Sequence, residues 1–272
     1  MGQVRQNNED AVYLNGRYAE ISEMDRAALE TMVCEAPGSV WAVSDGMGGA
    51  EKGEVASYTA VRLLDALKHE LLSEDFQQAV QRWVRKTDEA VYEATEGGGC
   101  TLVLVYCAPS RIFYAHIGDS RIYRFHQGLL MRLTRDHSKV EMMKALGMIS
   151  EEEARNHPQR HVITRSLGMN QDTLLEATLG NPMPVTDGDR YVLCSDGLTD
   201  MLLDEEIADI CAKSDSARDC AGALYDAAQA AGGLDNTTVM VLDVLSEGLF
   251  AHSGAMDMYG TEDDEPTLQL DM

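Results

Sequence analysis

The stretch VWAVSDGMGG, residues Val40 to Gly49, joins an apolar run to an aspartate and a glycine-rich turn. A short apolar run that meets a turn is typical of a buried strand opening into a loop. Asp45 is therefore expected at the strand end, held rigidly and facing a cleft. The glycines at 46, 48 and 49 let the backbone pass close to a ligand and adopt positive φ. Alone, such a stretch is more often simple turn chemistry.

Acidic turns recur beside four other apolar runs. Asn8-Glu9-Asp10 precedes one run, Gly118-Asp119-Ser120 and Ser195-Asp196-Gly197 each follow one, and Asp235-Asn236 precedes the last. Five such turns can converge on one end of a sheet structure. Clustered carboxylates repel each other unless cations hold them, and hard oxygen ligands suit Mg²⁺ or Mn²⁺. The pattern therefore points to a divalent-metal site.

The chain has 272 residues, 44% of them hydrophobic, and 46 acidic against 22 basic side chains give a net charge of −24. Its length suits one large domain or two small ones. The negative charge argues against nucleic acid or an anionic membrane as the main partner. Six cysteines without a C-x-x-C pair fit buried free thiols in a reducing cytosol. We expect a cytoplasmic protein, because the sequence contains neither an apolar leader nor a run of roughly 18 apolar residues.

Hydrophobic spacing predicts an antiparallel helix pair lying on a sheet, with one helix at about 53–72 and the next from an N-cap at Ser73 to about Ala94. Short runs rich in branched and aromatic residues then predict an antiparallel meander at 101–107, 111–117, 121–125 and 129–133. Further strands are expected at 174–179, 191–194 and 239–244. Further helices are expected at 24–33, 204–212 and 216–231, with a capped helix start in 149–155.

Six motifs resemble, in order, those of the metal-dependent protein phosphatase family called PP2C or PPM. They are Arg5-x-x-Asn8-Glu9-Asp10, Ser44-Asp45-Gly46-Met47-Gly48-Gly49, Gly118-Asp119-Ser120-Arg121, Asp136-His137-Ser138, Ser195-Asp196-Gly197-Leu198-Thr199-Asp200 and Asp235-Asn236-Thr237-Thr238. The segment Ile149–Gly168 resembles the bacterial members in particular. The resemblance implies an α+β fold in which two packed antiparallel β-sheets are flanked by helix pairs. It runs to about Val244, which implies a phosphatase domain at 1–245.

Matching position to position, the resemblance implies a set of metal ligands. Asp45 resembles the carboxylate that bridges two metal ions, and Gly46 the residue whose carbonyl binds one of them. Asp196 and Asp235 resemble ligands of one metal, and Glu9 resembles the residue that serves the second, directly or through water. The implied cofactors are two core Mn²⁺ or Mg²⁺ ions, with a third in bacterial relatives.

The resemblance also gives roles to three further residues. Asp10 resembles an acceptor for metal-bound water, and Arg5 resembles the phosphate-binding arginine, although a plain surface arginine is the alternative. Asp119 resembles the ligand of the third metal, with Asp196 shared; the alternative is that it caps its turn. Asp200, four residues after Asp196, is either a ligand or an acid at a helix N-terminus. We expect His137 to be structural.

The implied function is hydrolysis of phosphoserine and phosphothreonine in proteins by a metal-bridging hydroxide, in opposition to a Ser/Thr kinase in a bacterial cytoplasm. The alternative is a pseudophosphatase or regulatory binding module. Intact Asp45, Asp196 and Asp235 argue against that alternative, because degenerate members usually lose such ligands.

The C-terminal segment 246–272 carries seven acidic residues and no Lys or Arg. Its low aliphatic content predicts a disordered tail that cannot repay the entropy of ordering. Such a tail is either an inert overhang or a regulatory arm in which Thr261 or Thr267 is a kinase target.

Overall fold

The structure is a computed structural model that describes residue 5 and residues 7–19, 38–48, 52–169 and 174–245. The helix expected at 24–33 and the tail expected at 246–272 lie outside these residues. The strands are β1 (Asp10–Leu14), β2 (Ser39–Met47), β3 (Gly99–Cys100), β4 (Leu102–Cys107), β5 (Arg111–Ile117), β6 (Arg121–His126), β7 (Leu129–Arg132), β8 (Thr178–Leu179), β9 (Met183–Pro184), β10 (Arg190–Cys194) and β11 (Val239–Asp243). The helices are α1 (Lys52–Arg62), α2 (Leu64–Leu71), α3 (Phe76–Thr95), α4 (Lys139–Ala145), α5 (Glu151–Arg155), α6 (Asp196–Thr199), α7 (Asp204–Lys213) and α8 (Ala217–Ala230).

Two antiparallel sheets form the centre of the fold. The first has the order β1-β2-β4-β5-β8, with β3 paired to β2 and β9 paired to β5. The second has the order β11-β10-β6-β7. Apolar side chains from both sheets pack together between them, among them Val43, Val103, Ile122 and Leu193. The α+β sandwich of two packed sheets that the motifs implied is thus confirmed.

Helices cover the outer face of each sheet. Helices α1, α2 and α3 pack on the first sheet through a core that includes Leu64, Val84 and Leu104. Helices α6, α7 and α8 pack on the second through a core that includes Val192 and Leu224. The first sheet is therefore buried on both faces, which explains why the Val40–Val43 run is continuously apolar rather than alternating.

The sequence misplaced two boundaries in the first helical layer. The helix expected at 53–72 is interrupted at Leu63, whose carbonyl oxygen accepts a hydrogen bond of 2.8 Å from the Trp83 indole nitrogen. The N-cap of α3 is Asp75 rather than Ser73, because the Asp75 side chain accepts the Gln78 amide hydrogen bond at 3.1 Å. Ser73 instead donates to the carbonyl oxygen of Glu70.

The expected four-stranded meander is wrong as a single sheet. Strands β4 and β5 pair in the first sheet, whereas β6 and β7 pair in the second. The chain crosses between the sheets at Gly118–Ser120, where Gly118 has φ +97 and a Cβ would lie 2.6 Å from the Thr101 side chain. The turn that carries Asp119 is therefore a bridge between the two sheets.

The strand expected at 174–179 shortens to β8, and the capped start near residue 150 is the helix α5, with a capping box between Ser150 and Glu153. No helix among the described residues combines the length and the apolar character that crossing a bilayer requires.

Candidate active site

The acidic turns meet at one end of the two sheets. Asp10 begins β1 and lies directly opposite Asp45, near the end of β2. Asp119 lies in the turn after β5, Asp196 follows β10, and Asp235 precedes β11. In an antiparallel sandwich with this order, the starts of β1 and β11 and the ends of β2, β5 and β10 share one edge. The convergence predicted from the sequence is therefore observed.

These carboxylates act on one another electrostatically. The pKa of Asp45 is raised well above its ordinary value, first by burial and then by the negative charges of Asp10, Asp196, Asp119 and Asp235. Burial and the charge of Asp119 likewise raise the pKa of Asp196. Each ionised carboxylate in this group makes ionisation of its neighbours less favourable. A bound cation would neutralise this repulsion, so the group is suited to bind one.

Two carboxylate oxygens in the cluster support a cation site. Asp10 Oδ1 and Asp119 Oδ1 are buried without a hydrogen-bond partner. Burial, followed by the negative charge of Asp136, raises the pKa of Asp119 to about 7. Buried polar atoms are ordinarily paired, so unpaired hard oxygens among mutually repelling acids fit an Mg²⁺ or Mn²⁺ centre.

Asp10 is oriented by Ser195, to which the family resemblance assigns no role. Ser195 Oγ donates a 2.8 Å hydrogen bond to Asp10 Oδ2 and accepts one of 3.0 Å from the Thr238 amide. Ser195 is fully buried. One oxygen of Asp10 is thus fixed from the β10 and β11 side, which leaves the other oxygen available to the cluster.

The N-terminal segment is joined to the opposite sheet by Asn236. This side chain accepts a 2.9 Å hydrogen bond from the Glu9 amide and donates one of 2.9 Å to the carbonyl oxygen of Asn7. The Glu9 carbonyl oxygen in turn accepts a 2.6 Å hydrogen bond from Ser57 of α1. These three contacts fix the backbone on both sides of Glu9.

Two glycines permit close approaches at the site. A Cβ on Gly46 would lie 2.0 Å from the Gly53 carbonyl oxygen, and a Cβ on Gly197 would lie 1.9 Å from the Asn236 carbonyl oxygen. Real Cβ atoms do not approach backbone so closely, so larger residues would push α1 or the Asp235 turn away from the carboxylates. Both glycines are needed for this close packing. The positive φ expected in the glycine turn is present at Gly48, at +143°, but the expectation for Gly46 is wrong.

Arg5 lies at the mouth of the cluster. Its Nη2 donates a 2.7 Å hydrogen bond to Asp235 Oδ2, and about half of its side chain is exposed. This contact and the charge of Asp235 raise the pKa of Arg5. The expectation that Arg5 belongs to the site rather than to an unrelated surface agrees with this position.

His161 joins Asp196 and Asp200 in a group that the sequence did not reveal. One ligand atom from each lies within 4.8 Å of the others, and among the described residues this is the one group of three or more possible ligands that close together. Asp200 caps the C-terminal end of α6, so the reading of Asp200 as an acid at a helix N-terminus is wrong. Its place beside Asp196 favours the ligand alternative.

His137 holds the base of the segment 139–165 against the Asp119 turn. Its Nδ1 accepts the Gly118 amide at 3.1 Å, its Nε2 lies 2.9 Å from Thr178 Oγ1, and its ring stacks on His116. Burial lowers the pKa of His137 to about 4, so this ring is neutral near pH 7. The contacts are structural, as expected.

Comparison with known proteins identifies this arrangement. Residues 24–228 match the family described as protein phosphatase 2C. The chain belongs to this family. The serine/threonine phosphatase stp of Listeria monocytogenes is 32% identical over 252 residues, which cover 89% of this chain and 92% of that protein.

Solved structures agree with this membership of the protein phosphatase 2C family. The crystal structure of the Mycobacterium tuberculosis serine/threonine phosphatase PstP/Ppp aligns with a TM-score of 0.74 and 34% identity, covering 90% of this chain and 95% of that chain. A catalytic-domain structure of PstP in complex with two manganese ions aligns with a TM-score of 0.72 and 33% identity, covering 90% and 94%. The fold and the family resemblance drawn from the motifs are both confirmed.

Three residues of this phosphatase's site carry weak sequence signals. Ser195 and Asn236 stand next to predicted ligands, and adjacency to Asp196 and Asp235 was the only available hint. His161 lies in the HPQRH segment, whose distance of 35 residues from Asp196 hides their proximity.

Proposed function

We propose that the chain hydrolyses phosphoserine and phosphothreonine in proteins with the help of two divalent metal ions. The observation that carries the proposal is the group of mutually repelling carboxylates at one end of the sheets, with Asp10 Oδ1 and Asp119 Oδ1 buried and unpaired. Membership of the protein phosphatase 2C family and the serine/threonine phosphatase names of its relatives support the substrate class.

The residues proposed to hold the two core ions are Asp45 as the bridge, Gly46 through its carbonyl, Asp196, Asp235 and Glu9. All of these donors are oxygens, which suits Mn²⁺ or Mg²⁺ better than softer metals. Two divalent ions held by these residues would lower the pKa of a bound water toward neutrality and would so supply hydroxide for attack at phosphorus. The two manganese ions of the PstP structure support this assignment.

Side chains around the ions would bind the phosphate and position the attacking water. The Arg5 guanidinium would first release Asp235, which is then free to bind metal. It would then bind phosphoryl oxygens and offset the negative charge that develops on them. Asp10, fixed by Ser195 at Oδ2, would accept a hydrogen bond from the attacking water at Oδ1 and hold it in line with phosphorus. A nucleophilic serine, cysteine or histidine is not needed for this route.

A third ion is proposed at Asp119 and Asp196. The unpaired Asp119 Oδ1 supports it, and His161 and Asp200 lie close enough to Asp196 to contribute. The ion would lie at the edge of the segment 139–165, which includes His161 and is proposed to influence protein-substrate choice more than chemistry.

The proposed partners are phosphorylated proteins and the Ser/Thr kinase that modifies them. The net charge of −24 disfavours nucleic acid and anionic membranes as partners. The bacterial sources of the relatives support a bacterial cytoplasmic setting, as do the described cysteines, which form no disulfide with one another. The phosphatase domain is proposed to span 1–245 and to be followed by a tail at 246–272.

Hydrolysis of a phosphothreonine peptide tests the proposal. Phosphate release is expected with Mn²⁺, loss of release is expected with EDTA, and recovery is expected when Mn²⁺ is restored. Binding of the peptide without release under all three conditions would instead favour the regulatory binding module.

A further inference from the structure

Cys211 and Cys220 form a buried thiol pair on the side of the fold away from the carboxylates. Cys211 lies in the last turn of α7, Cys220 lies in the first turn of α8, and their Sγ atoms are 3.7 Å apart. The two residues are 2% and 0% exposed, respectively. A short connection therefore brings two sulfur atoms into contact between adjacent helices.

A fixed positive charge lies beside this pair. Arg190 Nη1 donates hydrogen bonds to the carbonyl oxygens of Cys211 at 2.9 Å and Ser214 at 3.1 Å, while Nε and Nη2 contact Asp243. The guanidinium is thus held against the end of α7 where the thiols meet.

This setting separates the pair from the other buried cysteines. The hydrogen bond with Cys211 lowers the pKa of Cys220, against burial, and the Arg190 charge lowers it further. The same hydrogen bond, together with burial, raises the pKa of Cys211, so Cys220 is the member of the pair that more easily becomes a thiolate. By contrast, burial raises the pKa values of Cys100 and Cys194 to about 12. Thiolate character is what makes a cysteine reactive.

A cavity reaches the Cys211 side of the pair. It has a volume of about 270 Å³, and its lining includes Cys211, Arg190, Ser214 and Leu245. Hydrogen peroxide is small enough to enter such a space. The cavity lies where β10 begins, and Asp196 follows the opposite end of that strand.

We propose that Cys211 and Cys220 are a reversible oxidation site that hydrogen peroxide converts to an intramolecular disulfide. In the first step the thiolate of the pair attacks one peroxide oxygen, an S–O bond forms, the O–O bond breaks, and the released hydroxide takes the proton the thiolate lost. In the second step the other sulfur attacks the sulfenic sulfur, an S–S bond forms, the S–O bond breaks, and hydroxide leaves with the second thiol proton as water. Two thiols and one peroxide become one disulfide and two waters.

The crosslink would tie α7 to α8. The sulfurs must move from 3.7 Å to about 2.05 Å, which requires a small shift of the two helix ends. Closing this short loop restricts the unfolded chain and is expected to raise Tm by roughly 5 °C. Helix α8 also packs on α6, which begins at Asp196, so the added rigidity extends to the layer behind the carboxylates.

Mass spectrometry of the full-length protein tests the proposal. One equivalent of hydrogen peroxide is expected to remove two hydrogen atoms, about 2 Da, from the reduced chain, and dithiothreitol is expected to restore them. Peptide mapping should place the crosslink between residues 211 and 220, and the Tm of the oxidised protein should be higher and should return on reduction.

Cys107→Ser is the matched control, because Cys107 is more exposed than either member of the pair. It should leave the loss of two hydrogens unchanged, whereas Cys220→Ser and Cys211→Ala should each abolish that loss. If either variant fails to fold, peptide mapping of the oxidised wild-type protein still identifies the crosslinked cysteines. A crosslink elsewhere, oxidation chiefly at Cys107, or an unchanged wild-type mass would overturn the proposal.

Discussion

Removing the Asn236 amide should weaken metal binding more than it weakens the fold. Asn236→Ala deletes both 2.9 Å hydrogen bonds and leaves the Glu9 amide and the Asn7 carbonyl oxygen without that partner. Each group left unpaired costs about 1–3 kcal/mol when buried, and these groups are partly buried, so the lower end applies. The total destabilisation is about 2 kcal/mol, and it acts mainly on the segment that carries Arg5 and Glu9.

If this free-energy cost lowers the binding of the ion that Glu9 holds, directly or through water, Mn²⁺ affinity drops roughly 30-fold, since about 1.4 kcal/mol corresponds to a factor of ten. Calorimetric titration of the metal-free protein with Mn²⁺ measures this directly, and turnover at saturating Mn²⁺ should recover much of its wild-type value. Asn156→Ala is the control, because its exposed amide contacts only the carbonyl oxygen of Glu152 among the contacts observed. Mn²⁺ affinity within twofold of wild type for Asn236→Ala would refute the claim that this residue positions the Glu9 segment.

Further predictions concern pH, substrate choice and the tail. The pKa of Asp119 is raised to about 7 from an ordinary value of about 3.9, so the folded protein favours the protonated carboxyl. The stability that this carboxyl gives to the metal-free protein is therefore complete below about pH 4 and is lost as pH rises through about 7. Asp119→Asn should therefore raise the Tm of the metal-free protein at about pH 8 but not at about pH 4, and equal effects at both would contradict the electrostatic account. Arg160→Ala, at an exposed position, should lower phosphoprotein turnover more than turnover of p-nitrophenyl phosphate, while the exposed Arg111→Ala should alter neither; equal losses on both substrates count against a role in substrate choice. Deleting 247–272 should leave peptide turnover within about twofold at physiological salt, where screening weakens the tail's charge, and hydrogen exchange there should be complete within seconds; a tenfold loss, or slow exchange across 261–270, would place the tail on the domain.

The aspartate turns allowed the site to be located from sequence because each follows or precedes a short apolar run. That arrangement puts Asp45 and Asp196 at strand ends, and strand ends in an antiparallel sandwich share an edge. The pairing of Asp10 with Asp45 follows from the same logic, since β1 begins where β2 ends. Local pattern and simple topology were sufficient for these features.

The division of strands between the sheets did not follow from the sequence. Strands β5 and β6 have similar compositions, and their turn at Gly118 reads like a hairpin. The crossing depends on the close approach of Gly118 to Thr101, which is a tertiary contact. The Asn236 bridge and the His161 group likewise join residues far apart in the chain, and local periodicity carries no information about such contacts.

The central claim is that Asp45 joins two metal ions that generate the nucleophile. Turnover of a phosphothreonine peptide by Asp45→Asn at saturating Mn²⁺, with the fold checked by circular dichroism, tests it most directly. Losing the bridge should cost at least about 4 kcal/mol of transition-state stabilisation, a drop of roughly 10³ in rate. The fold should persist, because a neutral amide removes a charge that its acidic neighbours repel. A folded variant that keeps more than about a tenth of wild-type turnover would contradict the two-metal account.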